Sequence, residues 1–135
     1  MQRITPYLYY EDVAAALEWL ARAFGFRERT RIAGAGGKIT HAEMEVADSV
    51  IMMGHPGPDY RNPKRLGQAT QTLYINVDDI DAHCRHAREA GAVIIMEPKD
   101  QSYGDRSYGA ADPEGHTWYF AQPPRADPAR TRAGS

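Results

Sequence analysis

The chain reads as two copies of one βαβββ unit, and no other feature constrains its fold as tightly. Residues 4–10 (Ile-Thr-Pro-Tyr-Leu-Tyr-Tyr) read as a strand, because aromatic and branched residues dominate and turn or cap residues follow. A helix comes next, with Asp12 as its N-cap, an apolar stripe of Val13, Ala16, Leu17, Leu20 and Phe24 at helical spacing, and Gly25 just past its end. Strands follow at 26–33, 38–46 and 49–54, separated by Gly34-Ala35-Gly36-Gly37 and by a tight turn at Asp48-Ser49. The same order recurs after residue 70: a strand at 71–77, a helix capped by Asp78 or Asp79 and ended by Gly91, then strands at 92–97, 105–111 and 116–121. One shift of 67 residues carries Tyr7 onto Tyr74, Asp12 onto Asp79 and Met52 onto Tyr119. A register shared over so much of both halves marks a duplication. The predicted fold is α+β, two tandem modules forming a curved mixed sheet with a concave cavity.

The domain spans 1–122, with module one at 4–54, a linker at 55–69 and module two at 70–122. The linker holds Pro56, Pro58 and Pro63, Gly57 and Gly67, and charged residues around Tyr60, which predicts a loop or mobile connection. The tail 123–135 is rich in Pro, Ala and Arg without apolar periodicity and is predicted to be disordered. At 135 residues the chain is long enough for one ordinary domain with a sizeable core. No apolar run approaches the roughly 20 residues of a membrane span, and no apolar leader follows Met1, so no membrane association is expected and the location reads as cytoplasmic. One cysteine, Cys84, excludes an internal disulfide and a cysteine-based zinc site. A formal net charge of −2 gives no general attraction to phosphates, so nucleic acid is not an expected partner.

Strand side chains alternate between faces. In the first strand Thr5, Tyr7 and Tyr9 oppose Ile4, Pro6, Leu8 and Tyr10; in its counterpart Thr72, Tyr74 and Asn76 oppose Leu73, Ile75 and Val77. The apolar set must pack under the helices, so the Thr/Tyr/Asn set faces away from them. On the fourth strand of each module the same parity puts Ile51, Met53, Trp118 and Phe120 on the helix side, and Val50, Met52, Gly54, Thr117, Tyr119 and Ala121 on the open side. An open face with this many tyrosines suits a planar or amphipathic ligand, an aromatic pair adding roughly 0.5–1.5 kcal/mol beyond area burial. The same rings also suit a subunit interface.

Tyr103-Gly104-Asp105-Arg106-Ser107-Tyr108, followed by Asp112-Pro113-Glu114-Gly115-His116-Thr117-Trp118, resembles a signature of the vicinal oxygen chelate superfamily, in its glyoxalase/bleomycin-resistance branch. Thr40-His41-Ala42-Glu43 and Asp48-Ser49-Val50-Ile51-Met52 stand where that branch places their first-half equivalents, and the likeness covers residues 4 to 122. The resemblance implies the fold more narrowly than the activity, since members include isomerases, ring-cleaving dioxygenases, thiol transferases and non-catalytic antibiotic binders. Metal-dependent members hold an ion through His, Glu or Gln on the first and fourth strands of each module; the matching positions here are Thr5, Met52, Thr72 and Tyr119. Hydroxyls, a thioether and a phenol lack the charge and basicity a divalent ion requires, so no metal and no cofactor are expected. The resemblance then implies a metal-free, ligand-binding homodimer.

The expected ligand contacts are Tyr7, Tyr9, Met52, Tyr74, Tyr103, Tyr108 and Tyr119, with Thr72, Asn76 and Arg106 fixing orientation. Arg106 enters a strand after Gly104, where its guanidinium can meet a ligand carboxylate, carbonyl or phenolate, or form a structural ion pair with Asp105, Asp112 or a partner chain. His41, Glu43 and Glu45 alternate on the open face, so His41 and Glu43 are candidates for acid/base chemistry and the alternative function is an enzyme of this fold. A metal site on His41 and Glu43 would need His55 or His116. Asp79, His83 and His86, with Cys84, read as the polar outer face of a helix. Asp112-Pro113-Glu114-Gly115 reads as a hairpin turn.

Overall fold

The computed structural model describes residues 1–124, so the predicted disorder of the tail lies, apart from Pro123 and Pro124, outside the described residues. Module one contains β1 (Tyr7–Tyr9), α1 (Val13–Phe24), β2 (Arg27–Ala33), β3 (Ile39–Val46) and β4 (Ser49–Gly54). A short helix α2 (Pro63–Leu66) follows, and module two contains β5 (Thr72–Asn76), α3 (Ile80–Glu89), β6 (Val93–Asp100), β7 (Arg106–Ala111) and β8 (Thr117–Gln122). Each module forms its own four-stranded mixed sheet, in the orders β1-β4-β3-β2 and β5-β8-β7-β6. The first strand runs parallel to the fourth and the other pairs are antiparallel. The duplication appears in the register itself: Tyr7 pairs with Met52 as Tyr74 pairs with Tyr119.

The helices begin and end for local reasons. Asp12 accepts the Ala15 N–H at 3.0 Å and Asp79, rather than Asp78, accepts that of Ala82 at 3.1 Å. Gly25 closes α1 at φ 77° and Gly91 follows α3 at φ 99°, both in the left-handed region. The turn between β3 and β4 consists of Ala47 and Asp48, one residue earlier than expected, because Val46 pairs with Ser49. Strand β6 runs to Asp100, beyond the expected end at 97, and passes Pro98 where the pairing with β7 slips. No helix among the described residues is long and apolar enough to cross a membrane.

One core serves both modules. Phe24, at the end of α1, packs edge-on against Phe120 of β8 at 4.7 Å between ring centres, and Phe26 meets Trp118 at 5.4 Å. Asp112 is 5% exposed and joins the modules: its carboxylate accepts the Tyr10 hydroxyl at 2.6 Å and the Trp118 indole N–H at 3.1 Å. The same side chain accepts the N–H groups of Glu114 and His116 and so shapes the hairpin turn predicted at 112–115. Burial and this carboxylate hold the Tyr10 phenol well above its ordinary pKa.

The linker is tied down around α2. Asn62 caps α2, Glu114 accepts from the Asn62 side chain and from the N–H groups of Glu11 and Asp12, and Glu11 accepts from Arg65. Gly115 is needed here because a Cβ would meet the Lys64 backbone nitrogen at 2.5 Å. Of the α3 face read as polar, Asp79 and His86 are exposed, but His83 is half-buried; its Nε2 lies 3.2 Å from the Phe24 carbonyl, and His86 Nε2 lies 2.6 Å from that of Arg22. The two histidines satisfy carbonyls left open in the last turn of α1, which sequence spacing cannot reveal because the partner sits on another helix.

Candidate functional site

Pairing registers divide each sheet into a covered and an open face. Leu8, Met53 and Ala42 stand side by side under α1 with at most 8% exposure. The adjacent row, Tyr7, Met52 and Glu43, belongs to the open face. In module two, Ile75, Phe120 and Tyr108 form a covered row, while Tyr74, Tyr119 and Gly109 form an open one. Tyr7, Tyr9, Tyr74 and Tyr103 keep 45%, 49%, 49% and 59% of their surface exposed, which is far more than aromatic residues of a finished core retain.

Two glycines let tyrosine rings lie down on these faces. A Cβ on Gly54 would collide with the Tyr7 hydroxyl, and one on Gly109 would come within 2.6 Å of the Tyr119 ring and 3.0 Å of Ile95. Tyr119 and Ile95 therefore form a floor on module two. Tyr9 meets Tyr7 and Tyr60 edge-on, both at 5.8 Å between ring centres.

The polar groups form one cluster per module. On module one the Tyr7 hydroxyl lies 3.0 Å from His41 Nδ1, and His41 Nε2 lies 3.4 Å from Glu43. A neutral imidazole with its proton on Nε2 satisfies both contacts, accepting from Tyr7 and donating to Glu43. Arg29 approaches the other Glu43 oxygen at 3.9 Å, and Arg27 pairs with Glu45. The structure thus brings His41 and Glu43 together, as the alternation on β3 suggests, and adds Tyr7 to them. On module two the Tyr74 hydroxyl donates to Asp105 at 2.8 Å and lies 3.4 Å from the Tyr103 hydroxyl. Desolvation of its hydroxyl and these bonds raise the Tyr74 pKa well above the ordinary phenol value, so Tyr74 remains a donor.

Two expected contacts are misplaced. Tyr108 is fully buried on the helix side, its ring stacked on Phe120 at 5.4 Å and its hydroxyl 2.5 Å from His83 Nδ1. The reason is register: Tyr108 pairs with Phe120, and residues opposite one another share a face. Arg106 also points to the helix side, where its guanidinium grips Asp81 of α3 at 2.9 and 3.1 Å and reaches Asp100 at 3.4 Å. It forms a structural ion pair with neither Asp105 nor Asp112. The residue that sequence reasoning missed is Asp105; it stands beside Arg106, but on the tyrosine side.

The remaining candidates sit nearer the module junction. Met52 is half-buried beside Tyr7. The Thr72 hydroxyl donates to the Thr117 carbonyl at 3.0 Å. Asn76 lines a cleft of about 400 Å³ together with Gln2, Ile4, Val50 and Tyr74, and a second cleft of about 270 Å³ contains Tyr9, Tyr60, Thr72 and His116. Both clefts lie where the first strand of one module approaches that of the other. Thr5, Met52, Thr72 and Tyr119 do not fit a catalytic divalent ion, for want of imidazole or carboxylate donors. His116 is bonded to the Tyr9 carbonyl at 2.7 Å and His55 contacts that of Tyr10, so neither joins His41 and Glu43. Among the described residues no three His, Cys, Asp or Glu side chains are grouped to hold a metal.

Residues 2–120 match the family model described as the Glyoxalase/Bleomycin resistance protein/Dioxygenase superfamily. The chain belongs to this superfamily. An uncharacterized protein of Mycobacterium bovis is 33% identical over 127 residues, covering 90% of this chain and 84% of its own. Among solved structures, TioX from Micromonospora sp. ML1 superposes with a TM-score of 0.75 at 32% identity, covering 90% of this chain and 98% of its own. TnmS3, an antibiotic binding protein from Streptomyces sp. CB03234, superposes with a TM-score of 0.67 at 20% identity, covering 91% and 99%. FosX, a fosfomycin resistance protein from Listeria monocytogenes, shares the fold with a TM-score of 0.67 at 12% identity.

Proposed function

We propose that this protein binds a planar aromatic or polyketide-like small molecule on the open sheet faces and lowers its free concentration by sequestration, as an antibiotic-resistance protein would. The observation that carries the reading is the set of half-exposed tyrosines on one side of the sheets, with Gly54 and Gly109 leaving room for their rings. Such a surface releases water when a flat ligand covers it, and ring contacts add to the burial. A protein of the same fold, TnmS3, is an antibiotic binding protein, which supports the class of ligand. The unsuitable donors at Thr5, Met52, Thr72 and Tyr119 support binding without metal chemistry. A second copy of the chain, closing over the ligand across a two-fold interface, completes the proposal.

Tyr74→Ala tests it. With naphthylmethanol as a neutral planar probe, the substitution weakens binding at least about tenfold, or about 1.4 kcal/mol. Unchanged affinity would place the ligand elsewhere. A second reading rests on the Tyr7–His41–Glu43 chain, which has the parts of a general acid/base: a half-exposed phenol, an imidazole and a carboxylate in sequence. Under that reading a bound ligand is recovered chemically altered, and His41→Gln abolishes the change while sparing affinity. Recovery of every ligand intact favours sequestration.

A further inference from the structure

We infer that Asp105, Tyr74 and Tyr103 form a seat for a protonated amine carried by the aromatic ligand; this rests on the ligand-binding reading above. Three side chains bring oxygen atoms together at one edge of the module-two open face: Tyr74 Oη is 2.8 Å from Asp105 Oδ2 and 3.4 Å from Tyr103 Oη. An ammonium group carries only donors, and a carboxylate offers about four acceptor sites, of which the Tyr74 hydrogen bond uses one. Phenol oxygens add further acceptors, and tyrosine ring faces attract a cation.

The charge of Asp105 is available to a ligand because its basic neighbour is committed elsewhere. Arg106 points to the opposite, covered side, where it pairs with Asp81 and Asp100. The carboxylate is also held in place: the loop before β7 is closed by the Gln101 N–H on the Asp105 carbonyl at 2.7 Å and the Gly104 N–H on the Gln101 carbonyl at 3.0 Å. A seat of this kind therefore loses little freedom when it closes on a donor. Next to it the Tyr119 ring lies over Gly109, and Tyr119 pairs directly with Tyr74. The arrangement selects a molecule whose flat ring covers Tyr119 and whose amine reaches past Tyr74 to Asp105. A carboxylate at the same point would be repelled, and a hydroxyl would gain one hydrogen bond without the charge attraction.

Titration calorimetry of the full chain near neutral pH, with naphthylmethylamine, naphthylmethanol and naphthoate, separates these cases because the three probes share one ring system. The amine is expected to bind about tenfold more tightly than the alcohol, and naphthoate most weakly. Asp105→Asn is expected to bring the amine to within about twofold of the alcohol. Equal affinities of amine and alcohol for the unmodified protein overturn the inference without reference to any variant, as does an amine preference that survives Asp105→Asn. If the alcohol binds and the amine gains nothing, only the amine seat falls. If none of the three binds, the ligand-binding reading falls with it.

Discussion

Asp112→Ala strikes the point where the two modules are joined. The carboxylate is nearly inaccessible and accepts two hydrogen bonds from core donors, the Tyr10 hydroxyl and the Trp118 indole N–H, whose residues are 1% and 0% exposed. Water cannot replace the lost partner there, so each stranded donor costs about 1–3 kcal/mol, and the pair about 2–6 kcal/mol. The N–H groups of Glu114 and His116 lie in a half-buried turn, where solvent can take over part of the task. An overall loss of about 4 kcal/mol follows, a large share of the roughly 5–15 kcal/mol that stabilises an ordinary domain. Urea unfolding followed by tryptophan emission reads it directly, since Trp118 is both reporter and partner. Tyr10→Phe alone costs about 1.5–3 kcal/mol, because it removes a hydrogen bond to a charged acceptor. On the Asp112→Ala background the same change removes an orphaned hydroxyl and costs less, so the pair is coupled by about 1 kcal/mol or more. A loss below about 1 kcal/mol for Asp112→Ala, or strict additivity of the two changes, would refute the assignment of Asp112 as the buried tie between modules.

Gly109→Ala drives the Tyr119 ring off β7, removing the aromatic floor; naphthylmethanol affinity falls roughly two- to tenfold, corresponding to about 0.5–1.5 kcal/mol, as calorimetry will show. Burial between α1 and α3 holds the His83 imidazole below its ordinary pKa, so the unfolded chain takes up that proton first. Stability therefore declines as pH falls through the ordinary histidine range near 6.5 and ceases to decline below the folded-state value; urea midpoints across pH will show this slope, and His83→Gln will flatten it. Arg106→Ala cuts an exposed ion pair on the covered side and leaves naphthylmethanol affinity within about twofold, which a titration checks.

Much of the architecture was legible because it rests on local rules. Asp12 and Asp79 stand at the right distance from apolar stripes to cap helices, and the shift from Tyr7 to Tyr74 announces the second module. Period-two alternation was enough to send Tyr7, Tyr9 and Tyr74 outward, since Leu8 and Ile75 between them are plainly apolar. It failed on β7, where Arg-Ser-Tyr-Gly-Ala-Ala has no such alternation and either face suits Tyr108. The deciding signal was available: counting back from the turn at 112–115 pairs Tyr108 with Phe120, which belongs on the helix side. Arg106 follows by the same parity, and Asp105 takes the place on the open face that a lone charged side chain suggested for its neighbour. The bonds of His83 and His86 to α1 depend on how two helices pack across the duplication, and no spacing within one helix encodes that.

The proposed function requires a planar molecule to settle on the open tyrosine faces and leave unchanged. Proton–carbon correlation spectra of the tyrosine rings, recorded while naphthylmethanol is added, report on this ring by ring, with the covered rings as internal controls. The prediction is that Tyr7, Tyr9, Tyr74 and Tyr119 shift progressively while Tyr10 and Tyr108 stay in place, with the probe recovered intact. Shifts confined to Tyr10 and Tyr108, or no ring shifts despite measurable binding, would contradict it.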